Sequence, residues 1–283
     1  MDLRDKPGVV QKFLERMVQF RLIFLFFLVL FSVMFVATGW QAMSSLPLGA
    51  SESLGMWMAD MGGEALGGAK YLGVAAVAAF VLFFVFGGVK SGVGSLVAVA
   101  AFVGSLVLLD GSEGMQLVFY GVFAAVSLVL LFVAKIGLSN VLFPFALSWL
   151  LLTGFLAWCP VAPDNAWLSW AALSALGFAG VVAFALNAGK ELGEGTPATG
   201  AIVKAGKRMV LPVTIGGLLA VVATSVDMAQ VTGRQVAGAA VLWLAFVVWF
   251  FGFTFGTMAF APWDRLRSGS RRVQMKDKKK GRK

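Results

Sequence analysis

Residues 189–208 read GKELGEGTPATGAIVKAGKR. They hold two acids, four bases, one proline and five glycines, in a chain that is 59% hydrophobic and only 13% charged. Soluble domains carry roughly 25% charged residues. The stretch is an active site, a linker between soluble domains or a wet connection between two membrane spans, and its flanks decide. Residues 167–187 before it and 209–226 after it contain no Asp, Glu, Lys or Arg. Each is close to the length of about 17–25 residues that a helix needs to cross a bilayer. The stretch therefore joins two spans.

Working outward, similar runs recur along the chain. Eight spans are expected, at 22–39, 71–89, 92–109, 116–134, 141–159, 167–187, 209–226 and 236–261. The runs are continuous and do not alternate apolar with polar, which favours helices over an outer-membrane barrel. The expected fold is an all-α polytopic transmembrane bundle.

Numbering the two sides alternately sorts the charges. All of the 23 Lys and Arg residues except Lys70 and Arg234 fall on one side. Glu52, Asp60, Glu64, Asp110, Glu113, Asp164 and Asp227 fall on the other. Basic enrichment marks the cytoplasmic side, so both termini are expected there, in a bacterial inner membrane. The expected organisation is a cytoplasmic amphipathic helix at 1–21 and a bundle at 22–262 with an external loop at 40–70. A cytoplasmic connector at 188–208 and a basic disordered tail at 263–283 complete it. The apolar core of span one is longer than a signal-peptide core and lacks a clear cleavage site, so it reads as an uncleaved anchor.

Two segments read as amphipathic. Val10, Phe13, Leu14 and Met17 share one face of the N-terminal helix. In the connector, Thr196 can cap a short helix with Pro197 at its first position. Ile202, Ala205 and Met209 then share one face, with Lys204 and Arg208 opposite and Lys207 at the edge. Lys204, Lys207 and Arg208 are the candidates for docking a cytoplasmic partner or for contact with anionic lipid headgroups. Lys190 and Glu194 suit an ordinary i,i+4 ion pair, and Glu191 with Glu194 an acid–base pair at most. The tail reads as a topology anchor that also contacts anionic lipid, and nucleic acid is not expected as a partner.

Packing faces are visible too. Ala171, Ala175, Ala179 and Ala183 recur every fourth residue, with Asn187 continuing the row, and Gly252 and Gly256 form a GxxxG pair. Small residues at this spacing let helices approach closely, within the chain or against other membrane subunits. Residues 86–95, FGGVKSGVGS, predict a tight glycine-rich hairpin between spans two and three. Pro212 with Gly216 and Gly217 predicts a kink in span seven. Trp40, Trp149, Trp158, Trp167, Trp170 and Trp263 lie near predicted span ends, as in an aromatic belt.

The chemistry is sparse. The chain has no histidine, which removes the commonest metal ligand and the default general base, and its one cysteine, Cys159, can form no intrachain disulfide. The expected spans carry hydroxyls but no ionisable group of the kind an ion-coupled transporter keeps in the membrane. Met56, Met58 and Met61 surround Trp57 in the external loop. Thioethers suit Cu(I), yet Leu54, Trp57, Met58 and Met61 share a helical face, which favours an interfacial helix. No catalytic residue and no cofactor are expected.

Residues 187–262, with KELGEG and AIVKAGKRMVLP and the closing AFAPW, resemble in outline the later part of one half of a resistance-nodulation-division transporter. The resemblance implies a charged amphipathic helix between spans. Span six lacks the aspartate that would carry protons there, the first external loop is short, and two further spans are present, so that family's activity is not carried over. The chain reads instead as a non-enzymatic membrane subunit of a larger transport or secretion assembly. The alternative is a stand-alone carrier or channel for an apolar or lipid-like substrate. An enzyme acting on lipid through Glu191 or Asp264 is the weakest of the three.

Overall fold

The computed structural model describes residues 8–60, 67–107, 139–159, 166–226 and 233–259. The expected span at 116–134, the tail at 263–283 and Met61 lie outside them. Every regular element among the described residues is an α-helix: α1 (Val9–Gln19), α2 (Arg21–Asp60), α3 (Gly67–Val107), α4 (Ser139–Trp158), α5 (Ala166–Gly193), α6 (Ala198–Val226) and α7 (Gly233–Ala259). Five of them contain stretches long and apolar enough to cross a membrane: Arg21–Thr38, Gly73–Val107, Ala166–Gly193, Thr199–Ser225 and Ala237–Met258. A shorter apolar stretch, Phe143–Trp158, lies in α4. The chain is a multi-pass membrane protein by this criterion.

Contacts between helices fix their directions. Gly180 faces Val213 while Ser169 bonds Thr224, so α5 and α6 run antiparallel. Trp170 donates to Thr153 at 2.8 Å and Phe145 sits 5.3 Å from Phe178, so α4 is antiparallel to α5. Gly177 meets Trp249 and Gly180 meets Phe253, which makes α7 parallel to α5. Gly154 of α4 lies against Phe35, and Leu28 clusters with Leu147 and Leu151, so α2 runs parallel to α4.

Helix α3 is two arms, not one rod. Gly88 breaks it with φ 77° and ψ 175°, a conformation that is essentially glycine's alone. Gly73 and Leu106 line one cavity, although thirty-three residues of unbroken helix would hold them about 50 Å apart. The arms therefore fold back on one another as the glycine-rich stretch predicted. The first arm meets α6, where Ala79 lies beside Gly216, and the second meets α5.

Helix α5 is the hub. It touches α2, α3, α4, α6 and α7, and 89% of its apolar stretch is buried. Alanine and glycine make this possible, since a helix enclosed on all sides must let its neighbours come close. By contrast only 11% of Arg21–Thr38 is buried, and Leu22, Phe26, Phe27 and Val33 stand outward.

Three local readings change. The expected external loop at 40–70 is helical at both ends, with α2 continuing to Asp60 and α3 starting at Gly67. Gly49 lies against Trp167 in the first turn of α5, so this C-terminal part of α2 stays on the bundle. The connector at 188–208 is not a separate helix. Its second half is the start of α6, and Ile202, Ala205 and Met209 are fully buried. They face protein because α1 packs there: Gly206 touches Leu14 of α1 and Met258 of α7. Trp170 belongs to the core, not to a belt, and is fully buried among Phe102, Trp149 and Thr153.

Candidate functional site

The alanine row of α5 continues past Asn187 to Glu191 at the same four-residue step. Along it the neighbours change from apolar to polar to charged. Ser95 donates to the Ala179 carbonyl at 3.4 Å and Ser91 to the Ala183 carbonyl at 3.3 Å. Alanine lets the second arm of α3 approach the α5 backbone this closely. One turn on, the buried Asn187 donates through Nδ2 to Ser91 at 2.8 Å and to the Ala183 carbonyl at 2.9 Å. Asn187 thus closes the polar seam between α3 and α5.

One turn further, Glu191 is the one charged side chain that is buried among the described residues, with 2% of its surface exposed. Its Oε1 lies 2.9 Å from Arg208 Nη1, and its Oε2 lies 3.1 Å from Lys204 Nζ and accepts from Thr196 Oγ1 at 3.2 Å. A buried carboxylate needs such partners, because desolvation alone would expel it. Lys204 and Arg208 are one helical turn apart on α6, so one acid holds both.

The turn between α5 and α6 presents the acid. Thr196 N–H donates to the Glu191 carbonyl, Gly195 N–H to Leu192, and Gly195 sits at φ 84°. This is a Schellman cap, which needs a residue in the left-handed region and so favours glycine. The cap turns the chain tightly enough for α6 to return its basic residues over Glu191. Thr196 does not serve here as the expected helix cap, since its hydroxyl goes to the Glu191 carboxylate.

The remaining candidates fall as follows. Lys204 is 59% exposed, Arg208 is half-buried and Lys207 is exposed, so this end presents a basic surface around a neutralised acid. Lys190 lies 3.9 Å from Glu194 at i,i+4, both exposed. Gly252 packs on Leu151 and Gly256 on the Pro144 backbone, so the GxxxG pair meets α4. Met56 and Met58 lie in the C-terminal part of α2; their side chains and Met61 lie outside the described residues. Among the described residues no cluster of His, Cys, Asp and Glu could hold a metal ion.

Towards the other end of the same alanine row the helices part. Ala171 and Ala175 line a cavity of about 230 Å³ between both arms of α3, α5 and α6. Every lining residue is apolar, and many are Ala or Gly.

Sequence reading missed two parts of this. It stopped the α5 row at Asn187, although continuing the four-residue step reaches Glu191 and marks it as inward-facing. It also passed over Ser91 and Ser95, whose i,i+4 spacing matched the alanine row. Compared with known family models, curated proteins and solved structures, the chain matches none.

Proposed function

We propose that this protein is a non-enzymatic subunit of a larger transport or secretion assembly in a bacterial inner membrane. In this reading it spans the membrane eight times with both ends cytoplasmic. The observation that carries it is the end of the bundle at Glu191. There α1, the start of α6 and the end of α7 are locked together through Leu14, Gly206 and Met258. Lys12, Arg16, Lys204 and Lys207 are exposed around that packed junction. A rigid basic platform of this kind suits an acidic partner subunit or anionic headgroups.

Helix directions support the span count. The second arm of α3 and α4 both run antiparallel to α5, so Val107 and Ser139 stand at opposite ends of the bundle. One further crossing between them, at 116–134, makes the alternation complete.

The apolar cavity favours a second reading, a stand-alone carrier of a lipid-like substrate. Purification in mild detergent separates the two. Stoichiometric co-purifying subunits are expected. A monodisperse lone protein that moves a lipid-like substrate in liposomes would replace the first reading with the second.

A further inference from the structure

We propose that the cavity between α3, α5 and α6 is a lipid site that takes one acyl tail of a membrane lipid from the leaflet at the Gly73 end. The walls set the ligand class. Ala75, Ala79, Phe83, Ala175 and Gly216 form the buried side, and no polar side chain lines the space. Its volume of about 230 Å³ exceeds the roughly 150 Å³ of an apolar cavity that stays dry and binds benzene. Left empty, such a space deprives its walls of dispersion contacts.

The shape selects a tail over a compact solute. The lining runs along α3 from Gly73 to Phe83, about 15 Å of helix. That is about half of a hydrocarbon core roughly 30 Å thick, the depth of one leaflet. The open side is formed by Ala76 and the partly exposed Phe80, Val103, Leu168 and Ala172, beside the outward-facing Val74 and Val77. In a membrane this side meets lipid.

This site rests on the membrane placement of the chain and deepens the carrier reading, but it does not require transport.

The test uses the full chain in phosphatidylethanolamine–phosphatidylglycerol vesicles doped with phosphatidylglycerol that carries a diazirine near the tail end. After irradiation, cross-links are expected on peptides containing Phe80, Phe83 and Leu176. Filling the slot with Ala76→Phe and Ala172→Phe is expected to cut that labelling at least about five-fold, leaving labelling near Val85 unchanged. Should the double variant not fold, Ala172→Leu alone is expected to cut it about two-fold. Equal labelling of filled and unfilled proteins, or labelling confined to the outer surface, overturns the site. A labelled protein that moves no lipid in liposomes keeps the site and removes the carrier reading.

Discussion

At the scale of single residues, Glu191 governs one end of the molecule. Its carboxylate is buried, and it neutralises two cations that are themselves partly in solvent. Removing the acid leaves Lys204 and Arg208 facing one another one turn apart. Glu191→Gln is expected to destabilise the protein by about 1.5–3 kcal/mol, the range for hydrogen bonds to charged groups. The figure sits below the cost of breaking a fully buried pair, because Lys204 is mostly solvated. Arg208→Ala is expected to cost more than Lys204→Ala, since Arg208 is the closer and less exposed partner. Steric-trap unfolding in micelles measures all three; equal stability of Glu191→Gln and wild type would refute the role. Little of this was legible in sequence. Charge near a span end reads as surface by default, and only the four-residue step from Ala183 through Asn187 says otherwise.

At the scale of helices, spacing was the readable quantity and the partner of each face was not. Ala179 and Ala183, the GxxxG pair and the glycine-rich turn mark close approaches that the structure contains, whereas Ala171 and Ala175 line the cavity. Sequence could not assign partners to them, because small residues fit any helix that comes near. It also misjudged the start of α6. An apolar face beside a basic one describes a helix on lipid and a helix under α1 equally well, and Leu14 decides between them only in three dimensions. The turn at Gly88 offers the sharpest test. Any Cβ there is strained at φ 77°, although the space around it is open. Gly88→Ala is expected to cost about 1–3 kcal/mol and to shift thermal unfolding in detergent downward. Ala substituted at Gly73, which is also in open space but helical, is expected to change it little. Equal shifts for the two variants would remove the strain argument.

At the scale of the whole molecule, composition and the sorting of charge made the class legible, whereas the interior had to be seen. The expected topology makes a prediction about access. Single cysteines introduced in a Cys159→Ser background at Glu52 and at Lys207, both exposed, are expected to react with impermeant reagent from opposite sides of a sealed vesicle. Labelling of both from one side would overturn the eightfold alternation. The fold-back at Gly88 carries a consequence for how the protein can move. One non-helical residue separates the two arms of α3, and consecutive Cα atoms stand only about 3.8 Å apart. With no slack at that joint, the arms cannot slide apart without unwinding helix, so any rearrangement carries them as a single hairpin.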